Sequence, residues 1–107
     1  LDYKTVPEFL NAADGKDWDI EELKTIGLRI LVLRHIFNLK AGINFKDFEF
    51  HVRVLGNPPL TTGPNKDVQI DLEAMLREYL KEIHFDPETT VPESGILQEL
   101  NIAQYSV

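Results

Sequence analysis

The stretch DIEELKTIGLRILVLRHIFNLKAG constrains the fold more than any other part of this sequence. Asp19 and Glu22 have the spacing of a capping box and Gly42 supplies a stop, which predicts a helix over residues 20–41. A surface helix keeps one face polar, whereas this one is apolar nearly all round from Ile26 to Leu39. We therefore expect a long central helix that three short helices would cover only in part.

The segment TVPEFLNAADG precedes the long helix and carries its own start and stop signals. Thr5 followed by Glu8 predicts a second capping box, and Gly15 predicts the end of the helix. We expect a short helix over residues 6–14.

Two further helical segments follow towards the C-terminus. DLEAMLREYLKEIHF is amphipathic, with Asp71 as its predicted cap and Pro87 fixing its end. VPESGILQELNI is opened by Pro92 and predicts one to two turns that end near residue 101. The sequence as a whole predicts an all-α fold: one domain over residues 1–107, of about four helices with a long irregular connection.

That connection runs for nearly thirty residues between the second and third helices. Its part FEFHVRV, residues 48–54, alternates apolar and polar side chains as a strand does. No second strand is visible to pair with it, and a lone strand leaves backbone groups unsatisfied. The segment therefore docks on another polypeptide as a strand, or forms an extended arm or a short turn of helix.

Charge and composition exclude several classes of function. The chain of 107 residues has 18 acidic and 11 basic side chains, a formal net charge of -7. Such a surface repels phosphate, so we expect neither nucleic-acid nor anionic-membrane binding. The sequence has no cysteine, which excludes thiolate metal sites within it and fits a cytoplasmic protein.

Local motifs indicate no active site. No two of His35, His51 and His84 share the spacing of metal ligands, and we interpret each as structural. The carboxylate pairs lie on faces that also carry basic residues, as solvated faces do. We therefore expect no catalytic, cofactor-binding or metal-ligating residue in this chain.

Arg29, Arg34 and Asn38 are polar residues on the otherwise apolar helix. A buried guanidinium needs an anionic partner, and a buried amide needs hydrogen bonds. These side chains are either structural ties to carboxylates or carbonyls, or they face a polar ligand or an adjoining domain. We expect Asn38→Ala to destabilise the domain rather than to lower turnover selectively.

The order of these signals resembles a known family. The long helix is similar to the last long helix of the tungsten- and molybdenum-dependent aldehyde ferredoxin oxidoreductases, whose signature is matched by Gly27, Arg29, Arg34, Phe37, Asn38 and Gly42. Downstream, PPLTTGPNKDVQIDLEAMLREYLKEIHFD and VPESGILQELNI are similar to later segments of that family, with Asn101 in place of a final glycine. The arm departs from the pattern, since it keeps Asp47 and Arg53 but has His51 at the usual proline position.

This resemblance implies that the chain is the C-terminal helical domain of a larger enzyme. That enzyme oxidises aldehydes to carboxylic acids and passes electrons to ferredoxin. It uses a tungsten or molybdenum bis-pterin and a [4Fe–4S] cluster, which the resemblance places upstream of residue 1. The chain would contribute scaffold and part of the substrate-channel wall against the remaining domains, with Arg29, Arg34, Asn38 and Arg53 as structural or channel-facing candidates.

One alternative belongs to a different class of function. The chain is then a stand-alone helical interaction module without catalysis, which uses FEFHVRV as an edge for strand addition. A module of this kind should be monodisperse and bind no hydrophobic dye, whereas a severed domain should expose a large apolar patch.

Overall fold

The computed structural model describes residues 3–107 and is helical. The helices are α1 (Thr5–Asp14), α2 (Ile20–Lys40), α3 (Leu72–Glu82) and α4 (Ser94–Glu99), with 3₁₀ turns at Phe45–Asp47 and Ala103–Tyr105. Across the described residues there is no strand, and only two isolated bridges pair extended backbone. The predicted all-α fold with one long helix is confirmed.

Local capping chemistry explains where α2 and α3 begin. The Asp19 carboxylate accepts the Glu22 backbone N–H at 2.8 Å, and the Glu22 carboxylate accepts the Asp19 N–H at 3.2 Å. At α3, Asp71 Oδ1 accepts the Ala74 N–H at 3.0 Å. Both predicted caps are therefore correct, because each satisfies N–H groups that the first helical turn leaves unpaired.

Three predicted helix ends are wrong. α1 begins at Thr5 itself, because Lys4 before it already has helical angles (φ -68°, ψ -27°) rather than the extended conformation of a cap. α3 ends at Glu82, well before Pro87, since the chain turns at His84 with φ 58°. α4 begins at Ser94, two residues beyond Pro92.

The turn between α1 and α2 is held by side chains. The side-chain amide of Asn11 makes two hydrogen bonds to the backbone of Trp18. Its oxygen accepts from the Trp18 N–H at 2.7 Å, and its nitrogen donates to the Trp18 carbonyl at 3.2 Å. The indole N–H of Trp18 donates to the Asp14 carboxylate at 2.8 Å. These bonds fix the direction in which α2 leaves α1.

The hydrophobic core lies at one end of the molecule. It joins the second half of α2 to α3, α4 and the C-terminal turns through the buried side chains of Val32, Ile36, Leu80, Phe85, Ile96, Leu97, Leu100 and Ile102. The first half of α2 contributes no fully buried residue. Only part of the long helix is therefore covered, as its pattern predicts.

The connection between α2 and α3 forms an arm of extended and turn conformations. Residues 48–51 have no regular structure and residues 52–56 form turns, so FEFHVRV is not a strand. The arm closes on itself through the Ile70 N–H, which donates to the Leu55 carbonyl at 2.9 Å. At Gly56, with φ 73°, an added Cβ would collide with the Val68 carbonyl oxygen, so a residue without a side chain is required there.

The molecule is more open than a free-standing domain of its size. Its radius of gyration is 18.4 Å, against about 13 Å for a compact chain of this length. Its accessible surface is 8328 Å², whereas a compact monomer of 12.3 kDa would expose about 6,100 Å². The excess of roughly 2,200 Å² is surface that a compact fold would bury.

Candidate functional site

Two of the candidate residues on α2 lie in different surroundings. The half-buried Arg29 donates from Nε to the Leu100 carbonyl at 3.0 Å, which ties α2 to the end of α4. Arg34 is exposed, and within residues 3–107 its side chain makes no hydrogen bond or ion pair. The structural tie expected for these arginines is therefore present at Arg29 and absent at Arg34.

Arg34 lies on a continuous exposed strip of α2, which we call the open face. It consists of Gly27, Ile30, Leu31, Arg34, Phe37 and Asn38, spaced three and four residues apart on one side of the helix. Phe37 is 73% exposed and Ile30 is 53% exposed. A shallow groove of about 300 Å³ runs over much of this face. The open face thus combines apolar area with a guanidinium and an amide.

Asn38 has a backbone role inside the chain and a free side chain. Its carbonyl accepts the N–H groups of Ala41 and Ile43 at 3.0 and 2.9 Å, which closes the end of α2. Its side chain is exposed and makes no hydrogen bond to any residue in 3–107. The expected destabilisation by Asn38→Ala therefore requires a partner from outside these residues. In the separate chain we expect a change within about 0.5 kcal/mol.

Gly27 is an exposed glycine in the middle of a helix, where nothing lies within 4 Å of an added Cβ. Gly27→Ala should stabilise the separate chain by about 0.5–1 kcal/mol, because alanine loses less backbone entropy in a helix. Urea unfolding measures this. Gly42→Ala is the control of opposite sign, since Gly42 has φ 76° and alanine is strained there. If both substitutions changed the free energy of unfolding by the same amount and sign, the space described around Gly27 would be contradicted.

The fourth candidate, Arg53, lies on the arm. It is exposed, and its backbone N–H donates to His51 Nδ1 at 3.2 Å. Beside the arm an apolar groove of about 660 Å³ is lined by Phe45, Phe48, Phe50, Leu72 and Leu76, with Lys46 and Glu73 at its edge. The structure does not bring Arg53 together with the three candidates on α2 in one pocket.

A polar network is buried where the arm leaves the core. His35 Nε2 lies 2.8 Å from the Thr90 carbonyl and 3.2 Å from its hydroxyl, so this nitrogen carries the proton. The imidazole packs between Phe85 and Phe45, with ring centroids 5.1 and 4.9 Å away. Asn44 Nδ2 also donates to the Thr90 hydroxyl, at 2.9 Å. His35 is thus a core residue that binds one loop, as its structural interpretation predicts.

The loop that carries Thr90 is organised by Asp86. Its Oδ1 accepts from the Glu88 N–H at 2.9 Å and from the backbone N–H and hydroxyl of Thr89. The ammonium of Lys46 donates to the carbonyls of Pro87 and Glu88 at 2.7 and 2.9 Å. Sequence reasoning missed this anchor, although the run DPETT is a typical signal for a side-chain-stabilised turn.

Acid should weaken this turn. The hydrogen bonds from Thr89 hold the pKa of Asp86 below its ordinary value of 3.8. A carboxyl with a lowered pKa stabilises the fold above its ordinary pKa, and this contribution is lost as pH falls through the lowered value. We expect Asp86→Asn to be less stable than wild type at pH 6, and the difference to shrink as the pH falls below the ordinary pKa of the carboxyl. Unfolding titrations along the pH range measure this, with the exposed Asp17→Asn as control. A pH-independent difference for Asp86→Asn would contradict the assignment.

The described residues do not fit an iron–sulfur cluster or a metal ion ligated directly by protein side chains. Across residues 3–107 no three His, Cys, Asp or Glu side chains are grouped to hold a metal ion. The sequence also has no cysteine to ligate a cluster. None of the described helices has the length and apolar character needed to cross a membrane.

Comparison with known proteins gives a consistent set of relatives. Residues 1–102 match the family described as "Aldehyde ferredoxin oxidoreductase, domains 2 & 3". The chain is similar to the tungsten-containing aldehyde ferredoxin oxidoreductases of Pyrococcus furiosus and Thermococcus kodakarensis, at 36% identity over 99 residues in each case. The enzyme of Pyrococcus abyssi is 35% identical over 99 residues. No solved structure gives a significant match.

The matches cover a large share of this chain but a small share of each relative. They cover 92% of this chain but only 16% of each relative. Other domains are therefore implied for an enzyme of this kind. The match over nearly the whole chain, at 36% identity to a relative, shows that this chain belongs to the aldehyde ferredoxin oxidoreductase family, in the region of domains 2 and 3.

Proposed function

We propose that this chain is the C-terminal helical domain of an enzyme that oxidises aldehydes to carboxylic acids and passes the electrons to ferredoxin. The observation that carries this proposal is the family match over residues 1–102. The relatives named for this activity are matched over 92% of the chain. Within such an enzyme the domain is a cytoplasmic scaffold and holds no reacting group of its own.

The cofactors of the parent are proposed to lie in its other domains. A tungsten or molybdenum bis-pterin and a [4Fe–4S] cluster supply the redox chemistry, and thiolates are the usual ligands of such a cluster. This chain offers no thiolate, since the sequence has no cysteine. Its histidines are not grouped with other metal-binding side chains among the described residues. What this chain does is hold neighbouring domains in place by burying their apolar surface.

The open shape of the chain supports a scaffold role. An excess of roughly 2,200 Å² of accessible surface is large beside the 800 Å² or so that each partner buries in a standard interface. Many of the exposed apolar side chains lie on the open face of α2 and along the arm, where Phe48 is 66% exposed. Contact with further domains of one polypeptide would cover both regions.

The arm is the part of this chain proposed to form channel wall. Its groove is apolar, with Phe45, Phe48 and Phe50 among the residues that line it. Such a surface suits the hydrocarbon part of an aldehyde. Arg53 is exposed on the same arm, a few residues beyond the lining residue Phe50. Of the four candidates it is the one that the arm carries, and this favours a channel-facing role.

The test is an assay of the complete polypeptide that contains this chain, produced without oxygen in medium with tungstate or molybdate. We expect metal in the purified protein and aldehyde-dependent reduction of ferredoxin or of a viologen dye. Residues 1–107 alone, refolded and purified, should retain no tungsten, molybdenum or iron. A complete polypeptide free of metal and inactive with every aldehyde tried would overturn the proposal.

The alternative of a stand-alone interaction module has no observation in its favour. It rests on FEFHVRV as an edge strand, and residues 48–54 are extended coil followed by turns. The large exposed surface also suits a domain with neighbours better than a free module.

A further inference from the structure

We infer that the open face of α2 is the docking surface for a helix from the remaining part of the same polypeptide, and that a carboxylate on this helix pairs with Arg34. The inference rests on the proposed function only in requiring that the chain is one domain of a larger polypeptide. The residues of this face are Gly27, Ile30, Leu31, Arg34, Phe37 and Asn38.

The charge of the face defines the chemistry of its partner. Arg34 lies about one helical turn from each of the exposed residues Ile30 and Phe37 on the same side of α2. Burial of these apolar neighbours buries the guanidinium with them. A buried guanidinium requires an anion, and its planar fork binds a carboxylate with two hydrogen bonds. Asn38, four residues on, adds an amide that a polar partner group would satisfy.

The shape of the face favours a helix as the occupant. Its residues follow the i, i+3, i+4, i+7 ridge on which a second helix packs. Gly27 lies at the N-terminal end of this ridge, where an added Cβ would meet nothing within 4 Å. Nothing inside the chain explains a glycine at this mid-helix position, which costs helix stability. The absent side chain lets the backbone of a crossing helix approach closely.

A second copy of the chain fits this face poorly. A two-fold contact through the open face would bring Arg34 of each copy towards the same cationic face of the other. A standard dimer contact would bury about 800 Å² per copy and leave most of the roughly 2,200 Å² excess exposed. The relatives, in contrast, have most of their length outside the matched region, since this chain spans 16% of them. The occupant is therefore a segment of the parent.

The first experiment tests the carboxylate. In the complete polypeptide, Arg34→Lys places an amine at this position, and a carbodiimide joins an amine to a carboxylate in contact with it. We expect an amide cross-link from position 34 to an Asp or Glu outside residues 1–107, identified by mass spectrometry. Wild type is the control, because a guanidinium does not couple. No cross-link from position 34, or one to residues 1–107 of a second copy, would overturn the inference.

The second experiment tests burial and does not depend on the carboxylate. Phe37→Cys and Glu78→Cys are introduced singly into the complete polypeptide, and thiol labelling is followed on the peptide that holds each position. The side chain of Glu78 is 74% exposed on α3 and lines neither the groove of the open face nor that of the arm, which makes it a matched exposed site. We expect labelling at position 37 to be at least ten-fold slower than at position 78. Equal rates would overturn the inference.

Failure of the proposed function would be seen separately. A cross-link from position 34 in a polypeptide that oxidises no aldehyde would reject the activity and support the docking face. An active aldehyde oxidoreductase in which position 37 labels as fast as position 78 would reject the docking face and support the activity.

Discussion

Replacing Phe85 with alanine is expected to lower the free energy of unfolding by about 3–5 kcal/mol, the range for deletion of a buried phenylalanine ring. Phe85 is 1% exposed and belongs to the cluster that joins α2, α3 and α4. Its ring stacks on His35, and its N–H donates to the Leu80 carbonyl at 2.8 Å, which closes the end of α3. Truncation leaves a cavity where three elements meet.

Phe37→Ala is the matched control for Phe85→Ala. Phe37 is 73% exposed on the open face, so its removal from the separate chain should change stability by about 0.5 kcal/mol or less. Both variants are compared by urea unfolding of the 107-residue chain. Similar losses at the two positions would contradict the placement of the core at one end of the molecule. If a further domain covers the open face as proposed, Phe37→Ala should cost more in the complete polypeptide.

Replacing His35 with leucine is expected to destabilise the chain by about 2–3 kcal/mol. Leucine fills much of the space between Phe45 and Phe85 but cannot donate to the carbonyl of Thr90, which is 0% exposed. That carbonyl is left without its hydrogen-bond donor, and a buried unsatisfied polar group is costly. The loop held by Thr90 should also open, which faster amide exchange at Thr90 and Val91 would show.

Two further variants separate hydrogen bonding from packing at this position. His35→Gln keeps a donor and should recover part of the loss, whereas His35→Leu should not. His84→Asn is the control, because His84 is exposed with φ 58°, a conformation that asparagine tolerates; its effect should stay within about 0.5 kcal/mol. If His35→Leu were as mild as His84→Asn, the hydrogen bond to Thr90 would not hold the loop.

The sequence predicts those parts of the fold that depend on residues close to one another along the chain. The caps at Asp19 and Asp71 follow from spacing of three residues, and both are present. The cap at Thr5 was predicted by the same rule and is wrong, because the backbone of Lys4 already turns as a helix. Asn101, in place of the family's final glycine, adopts a left-handed conformation with φ 55°, which asparagine tolerates.

Contacts between distant residues lie beyond this kind of prediction. His35 meets Thr90 across 55 positions, and Arg29 meets Leu100 across 71. No local pattern links these pairs, so sequence alone gives their roles as structural without naming a partner. The alternation in FEFHVRV shows the opposite problem, since its period suits a strand but the described chain offers none for it to pair with.

The sequence predicts which residues of α2 belong to the candidate site. It does not predict which of them are exposed. The all-round apolar pattern of α2 already indicates a helix that this chain cannot cover. Sequence does not say which side remains open, because that depends on how α3 and α4 pack against Val32 and Ile36. The structure leaves Gly27, Arg34 and Asn38 on the uncovered side, together with Phe37.

Sequencing the coding DNA immediately upstream of Leu1 tests whether this chain is one domain of a larger oxidoreductase. We expect the reading frame to continue and to encode further domains, including the cysteines that would ligate a [4Fe–4S] cluster. The chain then acts as one domain of a pterin-dependent aldehyde oxidoreductase. A start codon at or just before Leu1 would contradict this account, because residues 1–107 would then have to function without the cofactor domains.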